Sequence, residues 1–432
     1  MLFRSFSEET FEHFRPLVGG KDVSPVDITV VRAHSSYWNA TERMNPDVAL
    51  FFLASARPDY LRNAPGGEKY LTADNSILDR GKEVFADRCA GCHSSKLPTR
   101  AFEFFSEHPG RNCAGSGYLD CWREYWEWTK TDEFREQMVP IVKAPDFLDN
   151  NYLSTDMRIP VTVLETNACS TLATNAMEGN IWDNLSSQSY KELPSVGHIT
   201  VYNPYTGEPS DYTMPAGGRG YTRVPSLVSI WATAPFFLNN SLGAFRGSGS
   251  LDDRMASFND AMEKLLWPEK RDGNLEITTD RGDKKLRVQV DLTTSRSYLL
   301  VSSGYLPDFL QVLMGPLNRW LPWLAGDKGI QLGPIRGGMP VNLLANIDMN
   351  KKGQVAKVLL EVAKHLEALP PDASDEDARK AFADLVQPLL HLNKCPDFVI
   401  NRGHYFGTDY SLKRAGLSDD DKRALIEFTK TF

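Results

Sequence analysis

Cys89-Ala90-Gly91-Cys92-His93 is the stretch on which the reading of this chain turns. Two thiols one helical turn apart, followed directly by an imidazole, form the C-x-x-C-H pattern that attaches haem c. The spacing has a chemical reason. Each thiol can add to one of the two vinyl groups on a haem edge, and His93 is then held where its ring reaches the iron from the proximal side. The competing readings are a redox C-x-x-C and half of a zinc site. A redox pair usually sits at a strand-to-helix junction, and a Cys2Cys2 zinc site needs a second pair. The sequence has no second C-x-x-C and no H-x-x-x-H.

Upstream, the apolar positions Ile77, Leu78, Gly81, Val84 and Phe85 recur at helical spacing between Asn75 and Arg88, which predicts a helix running into the motif. At the far end Ser418-Asp419-Asp420-Asp421 has the look of a capping box with acids on a helix N-terminus. It opens an amphipathic stretch, Lys422 to Phe432, whose apolar face is Leu425, Ile426 and Phe428. Gly81 is small enough to let the two helices approach closely. The pair resembles the crossing helices of the cytochrome c fold. That likeness implies a mainly α chain with a cytochrome c-type haem core, long loop insertions and a few short β-strands, holding one covalent haem c.

The middle of the chain narrows the likeness. Met214-Pro-Ala-Gly-Gly-Arg219-Gly-Tyr221 is followed by Val224-Pro-Ser-Leu-Val-Ser-Ile-Trp231-Ala-Thr-Ala-Pro235-Phe-Phe-Leu-Asn-Asn240-Ser241. This run resembles the segment of the di-haem cytochrome c peroxidase superfamily that passes beside the second haem. The ending Cys395-Pro-Asp-Phe-Val-Ile-Asn-Arg-Gly-His404-Tyr-Phe-Gly-Thr408 looks most like the rubber-oxygenase branch. The resemblance covers about residues 60–432. It implies that Trp231, Phe236 and Phe237 lie against the ring, with Arg219 or Arg223 close enough to pair with a propionate. The plainer alternative is surface arginines and ordinary core aromatics. One departure matters: superfamily members carry two C-x-x-C-H motifs and this sequence has one. Matched backwards from the closing helix, it corresponds to the second haem. The first haem domain, where the related oxygenases bind dioxygen, would lie before residue 1.

The sixth iron ligand decides what such a haem does. His404 falls where the superfamily places the distal ligand of its second haem. Met214 and Met339, each followed by proline, are the competitors, and core packing is the ordinary use of methionine. An open site is the remaining possibility. His365 sits at the edge of an apolar helix stripe, and His13, His34, His108, His198 and His391 have no supporting context. Four further cysteines allow three pairings. Cys113 with Cys121 is favoured, because the glycines between them suit a tight closure. Cys169 with Cys395 would complete the set, and buried free thiols are the alternative.

The whole chain bounds these readings. Its 432 residues suggest two to three domains and its 41% hydrophobic and 24% charged residues an ordinary globular protein. The net charge of −8 argues against nonspecific nucleic-acid binding. The longest clean apolar run, Val48 to Ala56, falls well short of the ~20 residues that span a bilayer. The opening residues lack the basic and apolar regions of a secretory leader, yet haem c is attached only after export, so a periplasmic or exported protein is expected.

Residues 1–75 read as an arm wrapping the haem domain, or a remnant of a preceding one. Residues 76–432 read as a cytochrome c domain with a large insertion, about 130–400. Within it, Val161 to Leu164 and Ile199 to Val201 are expected as short strands. Leu286, Val288, Val290 and Leu292 alternate as a clean strand. Helices are expected at 355–369 and 376–391, the second opened by Ser374 and kinked near Pro388. Asp348 to Gly353 begins like an EF-hand loop, but Leu359 stands where a bidentate Glu is required. Trp122, Trp126 and Trp128 suggest aromatic packing around the haem. The expected function is electron transfer by a covalently held, six-coordinate haem, with a redox protein as partner. The alternative is the electron-relay part of a peroxidase- or oxygenase-type oxidoreductase whose catalytic haem is on another domain or chain. Five-coordinate chemistry at this haem would require that His404 not ligate.

Overall fold

A computed structural model describes residues 28–432 apart from 56, 107–112, 165–187, 238–239, 279–284, 291, 303–307, 321–324, 327–328, 341, 346, 349–350, 371, 394–395, 397–399 and 412–413. Nine helices are used below: α1 (Ser36–Ser55), α2 (Asn75–Arg88), α3 (Tyr118–Trp128), α4 (Asp132–Lys143), α5 (Leu251–Leu266), α6 (Asp308–Trp320), α7 (Lys352–Ala368), α8 (Asp375–Leu392) and α9 (Asp419–Thr429). The strands are few and short, so the protein is mainly α.

Helices α2 and α9 pack directly on each other. Asp74 caps α2 by accepting from the Ser76 amide at 2.8 Å. Ser418 caps α9 by accepting from Asp421, and three aspartates fill its first turn, where the helix dipole favours negative charge. Phe85 of α2 meets Phe428 and Phe432 edge-to-face at 5.6 and 5.2 Å, a favoured aromatic geometry. These residues belong to the first hydrophobic core, which also takes in α3, α4, α5, Leu61 and Trp231.

A second core is formed by residues between Tyr202 and Tyr405. Strand β6 (Lys285–Val290) alternates as expected, with Leu286, Val288 and Val290 buried and Lys285, Arg287 and Gln289 exposed. It pairs antiparallel with β5 (Leu275–Thr278) and with β10 (Ile400–Asn401). Helices α7 and α8 pack with these strands and with β9 (Gly329–Ile335), which pairs antiparallel with β7 (Ser297–Ser302) and β8 (Ala325–Gly326). Helix α8 opens on a full capping box between Ser374 and Asp377 and continues through Pro388. A third, small cluster forms around the hairpin of β2 (His198–Tyr202) and β3 (Pro209–Thr213).

Two expectations are corrected. Val161–Leu164 forms a helical turn, not a strand. Its would-be partner β4 (Tyr221–Thr222) pairs only with β1 (Ile159–Pro160). The Val161 amide still donates across to the Gly220 carbonyl at 2.8 Å, and beyond it the chain closes a turn. Residues 36–55, for which no helix was expected within the 1–75 arm, form the 20-residue helix α1, on which Met44, Val48, Leu50, Phe51 and Phe52 are exposed. Residues 59–61 do reach the first core: Trp231 donates its indole N–H to the Asp59 carbonyl, and Leu61 is fully buried.

Candidate functional site

The motif continues α2 by one more turn. The amides of Cys92 and His93 both donate to the Cys89 carbonyl, at 3.0 and 2.8 Å. Gly91 is packed against Thr129 and Phe134, and the Tyr125 hydroxyl, fully buried, donates to its carbonyl. Beyond His93, Asn151 locks the chain: its side-chain oxygen accepts from the amides of Ser95 and Leu153, and its amide donates to Ser94 Oγ. The 152–154 loop is fastened in turn to the 224–227 segment, where Ser154 Oγ donates to the Val224 carbonyl and the Leu227 amide to the Leu153 carbonyl. The carbonyls of Pro225 and Leu153 consequently face the His93 ring. His93 Nδ1 is buried beside them without reaching hydrogen-bond geometry.

Cys89 and Cys92 are free thiols. Burial pushes both up to about 12, and their mutual charge adds to the effect on Cys89, so both stay protonated at neutral pH. Cys113 and Cys121, by contrast, are joined in a disulfide with their Cα atoms 5.7 Å apart. Cys169 and Cys395 lie outside the described residues.

His404 arrives from the other end of the chain, three residues after β10, and its ring packs on Phe406 at 4.8 Å. Desolvation pulls its pKa down to about 3, with smaller contributions from the charges of His93 and Arg271. Desolvation likewise pulls His93 down to about 4. The two imidazoles are therefore near enough to feel each other, and both are neutral with a nitrogen lone pair free. His93, His404, Cys89 and Cys92 each keep part of their surface accessible despite these deep surroundings.

The other expected residues divide between the cores. Trp231 and Phe236 share the first core with the two cysteines, and Phe236 packs edge-to-face on Phe258. Phe237 lies against Gly403, next to His404. Arg219 is half-buried near Tyr212, and Arg223 is exposed beside Arg158 and Tyr190. Met214 is buried in the third cluster and Met339 in the second, where its sulfur accepts from the Tyr205 hydroxyl at 3.4 Å. Trp122, Trp126 and Trp128 are buried in one aromatic cluster, and the indole N–H groups of Trp126 and Trp128 have no acceptor among the described residues. Several site residues carried no sequence signal: Tyr125, Asn151, Arg271, and the Arg88, Lys130 and Arg414 that line a cleft reaching Cys92.

No protein-family model, curated protein or solved structure matches the chain.

The site suits a haem by its donor set: two unpaired thiols one turn apart, two neutral imidazoles with buried, unsatisfied Nδ1 atoms, and orphaned indole donors available to carboxylates. It does not suit a bare metal ion. Among the described residues no three His, Cys, Asp or Glu side chains converge, whereas structural zinc needs four ligands.

Proposed function

We propose that this chain is an electron-transfer protein carrying one haem c, with thioether links to Cys89 and Cys92, His93 as proximal ligand and His404 as distal ligand, on a cytochrome c-type core. The observation that carries the reading is the turn that brings two free thiols, Cys89 and Cys92, and the His93 imidazole together at the end of α2, with His404 near enough for the charge of His93 to act on it. A neutral imidazole is the form that ligates a metal. The haem would supply an iron that cycles between ferric and ferrous. The chain's residues do the rest. Tyr125 and Asn151 hold the motif turn so that His93 keeps one orientation, and the aromatic wall of Trp122, Trp126, Phe406 and Trp231 excludes water. Were His93 and His404 both to hold the iron, small oxidants would find no free coordination site, and the chain would relay electrons to a redox protein or another haem-bearing chain. Met214 and Met339 sit in other clusters from the cysteines, which favours His404 over either of them. The Cys113–Cys121 disulfide supports an oxidising, exported setting. The test is the protein matured in an export-competent host. Its haem should stay with the polypeptide in acidified acetone, and its ferric spectrum should lack the red charge-transfer band of high-spin haem. Haem released into the acetone would refute covalent attachment.

A further inference from the structure

Arg271 stands in the connection between α5 and β5, and four backbone carbonyls share its guanidinium. Its Nε donates to the Lys264 carbonyl at 2.7 Å and its Nη2 to the Leu265 carbonyl at 3.2 Å. Both acceptors lie in the last turn of α5, where carbonyls lack intrahelical partners and a cation is favoured. The other side of the fork reaches across to the His404 loop, with Nη1 on the Arg402 carbonyl at 2.6 Å and Nη2 on the His404 carbonyl at 2.9 Å. No carboxylate among the described residues pairs with it at ion-pair distance. The loop is closed from the opposite side as well. Gly403 has φ +75°, and a Cβ there would fall 2.6 Å from the Phe237 ring and 2.9 Å from Arg271 Nη1. Tyr405 lies under the guanidinium, 5.1 Å from ring centre to Cζ.

We infer that Arg271 is the positioning residue for His404: by tying the carbonyls on both sides of Gly403 to the end of α5, it fixes the loop in the one path that turns the imidazole toward His93. The inference rests on the reading of His404 as distal ligand. A planar fork with five fixed N–H donors can serve four carbonyls in two directions, which a lysine ammonium with three donors cannot. Gly403 is the complementary requirement, since only a residue without a side chain passes between Phe237 and Arg271.

The experiment uses the haem-loaded protein and reads the iron, not an activity. Arg271→Met should lose the low-spin signature, gain the red high-spin band and bind carbon monoxide in the ferrous state, while circular dichroism shows the chain still folded. Arg271→Lys should lie between that variant and the parent. Gly403→Ala should reproduce the phenotype from the other face of the loop, and it carries the test should Arg271→Met not fold. Arg254→Met, which removes only an exposed bond to the Ala232 carbonyl, should leave the spectrum unchanged. A low-spin parent whose Arg271→Met and Gly403→Ala variants stay low-spin and resist carbon monoxide overturns the inference alone. A parent without covalent haem, or with high-spin iron, overturns the reading of the site and this inference with it.

Discussion

Gly81 of α2 and Ala424 of α9 meet so closely that a Cβ on Gly81 would fall 2.3 Å from the Ala424 carbonyl oxygen and 2.7 Å from Phe428 Cβ. Backbone cannot yield as a side chain can, so the contact fixes the distance between the two helices. Gly81→Ala should therefore destabilise the protein by about 1–3 kcal/mol through overpacking, outweighing the ~1 kcal/mol that alanine gains over glycine inside a helix. Gly353 of α7 has nothing within 4 Å of its would-be Cβ, and Gly353→Ala should be neutral or stabilising by up to ~1 kcal/mol. Denaturant unfolding of the two variants beside the parent checks the contrast.

On the proposed reading, His404→Ala opens the iron, shifts it toward high spin and admits cyanide or carbon monoxide. His404→Met keeps six-coordination and raises the reduction potential, because a thioether favours ferrous iron relative to imidazole. If His404→Ala leaves the spectrum untouched while Met339→Ala or Met214→Ala abolishes the low-spin state, the iron is held by His and Met instead.

Arg80 of α2 donates through Nε to Asp421 of α9 at 2.6 Å. This bond holds the Asp421 carboxyl below its ordinary value of 3.8, burial opposing the shift. A depressed folded pKa means that the stabilisation is present above about pH 4 and fades as pH falls through the folded value. Arg80 is half-exposed, so the pair is worth at most about 1 kcal/mol. Asp421→Asn should cost up to that much at pH 7. The gap between variant and parent should narrow as unfolding is followed from pH 4 down to pH 2.

The Cys113–Cys121 bridge closes a loop with a sequence separation of 8. A loop that short still removes about 2–3 kcal/mol of unfolded-state entropy on the chain-entropy estimate. Cys113→Ser with Cys121→Ser should lower stability by that order. Intact-mass measurement under non-reducing, denaturing conditions should find these two thiols protected from alkylation.

The local devices were plain in the sequence. The periodicity leading to Arg88, the serine and acids before α9, Ser374 ahead of α8 and the alternation of β6 all read correctly, because each depends on residues adjacent in the chain. Val161–Leu164 misled because a β-branched run fits strand or turn, and the choice was made by how much partner strand β4 could offer. Helix α1 was missed because its apolar residues face solvent in the described structure and so show no core-facing stripe. At the site, the C-x-x-C-H spacing carries its own chemistry. Arg271 and Asn151 could not be found that way, since they act on backbone groups and serine hydroxyls that only the fold brings near.

His93 and His404 bracket most of the chain between them. If one iron atom joins them, it closes a loop of roughly 300 residues, and loop-closure entropy then withholds about 5–6 kcal/mol from the unfolded ensemble. The haem would act as a topological clasp as well as a redox centre. The second core, which contributes no ligand, would be strung between its two ends apart from Tyr405 and Tyr410. Loss of the distal bond would then loosen the insertion as a body, including helices far from the iron, because α7 and α8 would no longer be enclosed by a ring.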